Sequence, residues 1–146
     1  MTSKNSNHSL PSSISLDTTA YSHLVRGNNE IAVLVRKISL IMMPQPTITE
    51  LKSGFVFGSR QQENEAQLAR FISSNKVIST YPNEVTTEYY VALYSHARQH
   101  GRQLSHNDLW IAALSAQYGA TLITYDHDFD GLSDFQGLQI KVFDEK

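Results

Sequence analysis

Apolar positions along the chain switch repeatedly between a two-residue and a three-to-four-residue period. Residues 13–16, Ser-Ile-Ser-Leu, alternate and predict a first strand ended by Asp17. Residues 18–25 predict a short helix closed by Gly27, and Asn28-Asn29-Glu30 opens a second helix running to about Lys37. The apolar run at 40–43 predicts a second strand, with Pro44 and Pro46 as punctuation. A helix is then expected from Thr47, with Glu50 in its first turn. Leu68, Phe71 and Ile72 share a face of a helix over 63–73, and residues 76–79 read as a third strand. A long helix is expected from Glu84 to His100, with Val85, Tyr89, Ala92 and Leu93 inward and Gly101 as its stop. Residues 139–143 alternate again as a last strand. Strands that alternate with helices predict an α/β fold with a mostly parallel sheet covered on both faces.

The segment 105–129 organises the rest. Asn107 is placed to cap a helix, which puts Asp108 in the first turn, where the helix dipole favours a carboxylate. Trp110, Ile111, Ala113, Leu114 and Tyr118 recur at helical steps, and Gly119 is a natural stop. Ala-Thr-Leu-Ile-Thr follows as a short buried strand, ended by Tyr125-Asp126-His127-Asp128. In open α/β sheets, ligands bind at the carboxyl ends of the strands, where these acids are expected.

At 146 residues, the length suits one domain over 13–146. Residues 1–12, rich in Ser and Asn, are expected to be a disordered leader. There is no cysteine, so disulfides, thiolate metal sites and cysteine nucleophiles are excluded, and a cytoplasmic location is expected. No apolar run approaches the ~20 residues of a membrane-spanning helix. The net charge of −2 does not advertise a nucleic-acid partner, but its distribution is uneven. Six Lys/Arg and four Glu lie between Lys52 and Arg102, whereas six acids and two lysines lie from Asp126 onward.

The acids sit where strands are expected to end. Asp17 follows the first strand, Glu50 lies in the helix after the second, Asp108 opens a later helix, and Asp126 and Asp128 follow the next strand. Taken singly, each reads as a helix cap or a partner of the helix dipole. If the sheet is parallel they converge, and clustered carboxylates do not all ionise without a cation. Oxygen ligands without cysteine or an obligatory histidine match Mg2+ or Mn2+. Such a site suits hydrolysis of a phosphate ester by a metal-activated water.

These residues carry a family resemblance. L-D-T-T-A-Y-S-H-L at 16–24, T-E-L-K-S-G-F at 49–55, N-D-L-W-I-A-A at 107–113 and T-L-I-T-Y-D-H-D-F at 121–129 resemble the PIN domains, and among them the VapC-type toxin ribonucleases of toxin–antitoxin pairs. The resemblance covers roughly residues 14–143. It implies a three-layer α/β/α sandwich around a parallel sheet of about five strands. Asp17, Glu50, Asp108 and Asp126 would ligate the metal, with Asp128 as a nearby acid, and Thr18 and Thr124 would hold the carboxylates by hydrogen bonds. Thr19 stands where the family usually has Asn or Ser, and a hydroxyl is kept there. The family implies an endoribonuclease acting on structured RNA of the tRNA or rRNA class, a homodimer, and silencing by a VapB-type antitoxin.

Lys52, Arg60, Arg98 and Arg102 are candidates for RNA phosphate contacts. His96 and His100 have the i, i+4 spacing of zinc ligands, but the intervening Ala-Arg-Gln lacks a catalytic Glu and the helix is polar there, which favours a solvated face. His106 and His127 flank the proposed ligands, as phosphate contacts or as plain surface. Tyr21, Phe55 and Phe57 read either as core or as part of a groove for an antitoxin segment. Two rivals remain. A phosphoacceptor domain would want an adjacent acidic pair early in the chain and a strand-end lysine, and neither is present. A non-catalytic PIN fold that binds RNA or protein is the other, and unused clustered carboxylates argue against it because they repel.

Overall fold

The structure is a computed structural model that describes residues 10–145. Most of the expected leader therefore lies outside the described residues. Five strands, β1 (Ile14–Leu16), β2 (Ile41–Pro44), β3 (Val77–Thr80), β4 (Thr121–Thr124) and β5 (Ile140–Val142), form one sheet in the order β3-β2-β1-β4-β5. All four pairings are parallel. The helices are α1 (Thr18–Val25), α2 (Asn29–Lys37), α3 (Gln45–Val56), α4 (Gln61–Ile72), α5 (Glu84–Gln99) and α6 (His106–Gln117). A 3-10 segment, His127–Leu132, joins β4 to the loop before β5, an element that the apolar pattern does not predict.

Strand alternation sorts the core into two clusters, one per sheet face. Ile14, Leu16, Ile41, Met43 and Ile123 pack with Ala20, Tyr21, Ile31 and Leu68 from α1, α2 and α4. Leu122 points the other way and joins Leu93, Leu109, Ile111, Ala112, Phe129 and Leu132. Ser15, between Ile14 and Leu16, meets Ser115 of α6 hydroxyl to hydroxyl at 2.5 Å, which satisfies both buried groups. The three-layer α/β/α expectation is borne out, and each fully buried aliphatic side chain contributes about 1.5–3 kcal/mol to it.

Three local expectations are corrected. α3 starts at Gln45 rather than Thr47, with Pro44 as its cap residue and Pro46 in its first turn, where a missing N–H costs nothing. Glu50 consequently falls in the second turn, away from the helix terminus. On α5 the inward face is Thr86, Tyr89, Tyr90, Leu93 and Ala97, whereas Val85 and Ala92 are exposed. Asn83 caps this helix, and Thr86 answers its backbone N–H, so a capping box sets the rotation. Around α6 the residues Leu109 and Ile111–Ala116 are all buried, so this helix has core on most sides, and Tyr118 is an exposed end rather than part of the inner face. Gly119 ends it at φ +68°, a backbone conformation in which a side chain is strained.

Candidate active site

The central strands β1 and β4 pair in register, with Leu16 opposite Ile123. Their next residues, Asp17 and Thr124, therefore leave the same edge side by side. Thr124 Oγ1 donates to Asp17 Oδ2 at 2.5 Å, while Thr19 Oγ1 and the Ala20 N–H both donate to Oδ1 at 2.8 Å. Asp17 is thus the cap of α1, and only 3% of its surface is exposed. The two threonines are themselves held, because Tyr125 N–H donates to Thr19 Oγ1 and Asp126 N–H donates to Thr124 Oγ1, each at 2.9 Å. Burial raises the Asp17 carboxyl above its ordinary value and the charge of Asp126 adds to this, against the three hydrogen bonds that lower it.

Glu50 reaches this edge from the second turn of α3. Thr18 Oγ1 donates to its Oε1 at 2.5 Å, and Asn107 Nδ2 donates to the same atom at 3.0 Å. Asn107 also donates to Pro46 O at 3.2 Å, so it joins α6 to the start of α3. It is not the cap that the sequence predicts. Ser105 takes that position and accepts from the Asp108 N–H at 3.1 Å. The spacing Ser105-x-x-Asp108 is the local signature of such a cap and is readable as one.

Asp108 is the most perturbed member. Its carboxyl is pushed up to about 6, first by burial and then by the charges of Asp126, Glu50 and Asp17, while Ser105 opposes the rise. The four expected carboxylates therefore stand around one edge, within reach of one another's fields. Their oxygens are nonetheless spread. Among the described residues, the only three His, Asp or Glu ligand atoms within 4.8 Å of one another belong to His96, His100 and Asp134. Asp128 stands apart: it is exposed in the first turn of the 3-10 segment, and its N–H donates to Asp126 Oδ1 at 2.9 Å.

The basic candidates divide into two pairs. Lys52 Nζ lies 3.2 Å from Glu65 Oε1, and Arg60 Nε donates to Glu63 Oε1 at 2.8 Å, so both are engaged by carboxylates of α4. Arg98 and Arg102 instead line a cavity of about 410 Å³ together with Tyr94, Leu104, Ser105 and His106, which borders the first turn of α6. Arg98 donates to Tyr94 Oη at 3.0 Å. Arg102 lies across Gly131, where an added Cβ would come within 2.6 Å of its Cγ; this explains a glycine inside the 3-10 segment. His106 is hydrogen-bonded to Tyr90 Oη. His127 sits between Asp130 (3.0 Å) and Asp144 (2.8 Å), whose hydrogen bonds raise its pKa. Tyr21 is core, edge-on to Phe71; Phe55 is half-buried beside it, and Phe57 is 93% exposed. Tyr21, Val25, Leu51 and Phe55 also line a shallow cavity of about 230 Å³.

A doubly wound parallel sheet with carboxylates gathered at its central carboxyl edge defines a class of acid-edged α/β domain. The PIN domain model matches residues 14–134, and the chain belongs to that family. It is similar to the ribonuclease VapC1 of Haemophilus influenzae strain R2866, 28% identical over 128 residues, covering 83% of this chain and 92% of the relative. It is also similar to the ribonuclease VapC5 of Mycobacterium tuberculosis, 30% identical over 95 residues, covering 64% and 70%. Among solved structures, VapBC-1 of nontypeable H. influenzae superposes with a TM-score of 0.75 at 25% identity, covering 89% of this chain and 97% of that one. VapBC2 of Rickettsia felis, bound to a promoter DNA fragment, shares the fold with a TM-score of 0.78 at 20% identity, covering 90% and 99%. The resemblance read from the motifs is borne out. Among the described residues no helix is long and apolar enough to cross a membrane.

Proposed function

We propose that this protein is a metal-dependent endoribonuclease, the toxin of a VapBC-type pair, that cleaves phosphodiester bonds in structured RNA. The observation that carries the reading is the gathering of Asp17, Glu50, Asp108 and Asp126 at one edge, close enough for three of them to act on the fourth. The donor set is carboxylate oxygen, which fits Mg2+ or Mn2+. Asp17, Glu50, Asp108 and Asp126 would hold the ion, with Asp128 an outlying acid whose backbone N–H orients Asp126. Bound there, it would neutralise the edge, polarise the phosphate and acidify a water.

The chain's own residues do the positioning. Thr19 and Thr124 immobilise both oxygens of Asp17, so this carboxylate is aimed before any ligand arrives. Thr18 and Asn107 do the same for one oxygen of Glu50 and leave Oε2 free of these bonds. Of the four basic candidates, Arg98 and Arg102 are the ones left for RNA phosphates, since Lys52 and Arg60 already face carboxylates. A VapB-type antitoxin and a second copy of the chain are the proposed partners; similarity to VapBC complexes supports the antitoxin.

The test is cleavage of a structured RNA by wild type, Asp17→Asn and Asp108→Asn, each with and without millimolar Mg2+ or Mn2+. Cleavage should need the metal and fall by at least two orders of magnitude in both variants, which should keep their circular dichroism spectra. Metal-independent or undiminished cleavage would leave the acids without a catalytic role, and wild type that cleaves under none of these conditions would leave a binding module.

A further inference from the structure

Outside the acidic edge, the C-terminal end of α5 carries a different set of donors. His96 and His100 project from consecutive turns, their ring centroids 4.3 Å apart. Both turn Nε2 toward one carboxylate on the loop after the 3-10 segment. His96 Nε2 donates a hydrogen bond to Asp134 Oδ1 at 2.8 Å, a contact that an ion bound by both would replace, and His100 Nε2 is 3.8 Å from Asp134 Oδ2. One ligand atom from each of the three lies within 4.8 Å of the others.

The hydrogen bonds around the cluster set its chemistry. His100 Nδ1 is 2.8 Å from the backbone carbonyl of His96. A carbonyl only accepts, so Nδ1 carries the proton, and the neutral ring presents a lone pair at Nε2. His100 Nε2 and Asp134 Oδ2 are 3.8 Å apart, too far for a direct hydrogen bond, and a cation held between them would close that gap. An imidazole whose second nitrogen donates to a backbone carbonyl is the usual arrangement of a metal-ligating histidine. The ring of His96 is held edge-on to Phe135, 5.4 Å between centroids at 85°. Side-chain exposures of 19% and 47% for the histidines and 65% for Asp134 leave the cluster open to solvent.

We propose that His96, His100 and Asp134 form a second metal site, for Zn2+, with three protein ligands and the remaining position open to water. Two imidazoles and a carboxylate suit Zn2+, whereas the oxygen-only edge suits Mg2+ or Mn2+, so the two sites sort metals by donor type. Zn2+ here would tie the loop that carries Asp134, a short way beyond Asp126, to the helix end that carries Arg98. The site stands independently of the nuclease reading.

The test uses the full chain, stripped with a chelator and titrated with Zn2+ by calorimetry and with Co2+ by visible absorption. Wild type and Asp17→Asn should bind Zn2+ with equal affinity at this site, give the same Co2+ spectrum and gain melting temperature with Zn2+. His96→Gln, His100→Gln and Asp134→Asn should each weaken Zn2+ at least about tenfold and lose the Co2+ bands, while keeping the melting temperature of the metal-free wild type within a few degrees. Wild type that takes up no Zn2+, or His100→Gln that binds Zn2+ with unchanged affinity and spectrum, overturns the proposal. A Zn2+ signal lost in Asp17→Asn and kept in His100→Gln would place the ion at the acidic edge and overturn it equally.

Discussion

The acidic edge and the imidazole cluster hold their side chains in opposite ways. At the edge, the carboxylates come from four separate segments, and two of them are tethered by hydroxyl or amide donors remote in sequence: Thr124 lies 107 positions from Asp17, and Asn107 lies 57 from Glu50. In the cluster, both imidazoles come from one helix end, their spacing is set by the helical turn alone, and one loop carboxylate completes the set. A charged edge that repels itself must be restrained by donors built into the core, and those donors bear on folding as well as on chemistry. A helix-borne pair at the surface needs little support, so its removal should leave the fold nearly unchanged.

Cutting a tether challenges this contrast most directly. Thr124→Val keeps the shape of a fully buried side chain but removes the donor to Asp17 and the acceptor for Asp126 N–H. A hydrogen bond to a buried charged group contributes about 1.5–3 kcal/mol, so Tm should fall by roughly 3–12 °C in a domain of this size. Thermal denaturation checks this. A variant as stable as wild type would mean that the edge is not restrained from within.

A smaller effect probes the repulsion at the edge. The Asp108 carboxyl, raised from 3.8 to about 6, binds its proton more tightly in the folded than in the unfolded chain. Ionising it therefore costs stability as pH climbs from about 4 through about 6, and the cost persists above that range. In metal-free protein, Asp108→Asn should be more stable than wild type at pH 7.5, and the gain should fade as pH falls toward 4. Melting curves at several pH values, repeated with Mg2+, measure it; the ion should shrink the gap by stabilising wild type. A gap independent of pH would mean that charge at Asp108 is not its source.

The basic pairs should show a weaker effect still. Changing Arg98 and Arg102 to Ala should reduce the slope of log affinity against log salt for RNA by about 0.7–0.9 for each phosphate no longer neutralised. The corresponding change of Lys52 and Arg60 should leave that slope almost unaltered, because Glu65 and Glu63 already occupy them. Filter binding in the Asp108→Asn background, where cleavage should be at least a hundredfold slower, separates the two outcomes.

Much of the fold and of the acidic edge is legible along the chain, because apolar period and punctuation report local backbone preference. The strands, the stop at Gly119 and the placing of Asp17, Asp108 and Asp126 at element boundaries all follow from it. Where two local signals compete, the pattern misleads. Asn107 reads as a cap that Ser105 in fact provides, and Pro44 and Pro46 read as delaying a helix that they begin. Val85 and Ala92 read as inward because apolarity alone does not set the rotation of a helix; the Asn83 cap and the packing of Tyr89, Leu93 and Ala97 do.

The order of residues is enough to say which side-chain types can gather and at which ends of which elements. A parallel α/β order brings strand exits to one edge whatever the details of packing. The docking of the elements settles the remainder: which donor holds which carboxylate, that Lys52 and Arg60 are tied up in ion pairs while Arg98 and Arg102 share a cavity, and that Asp134 meets the two imidazoles. Those are contacts between residues held by different elements, selected by how helices rotate and dock on the sheet, and no local period carries that information.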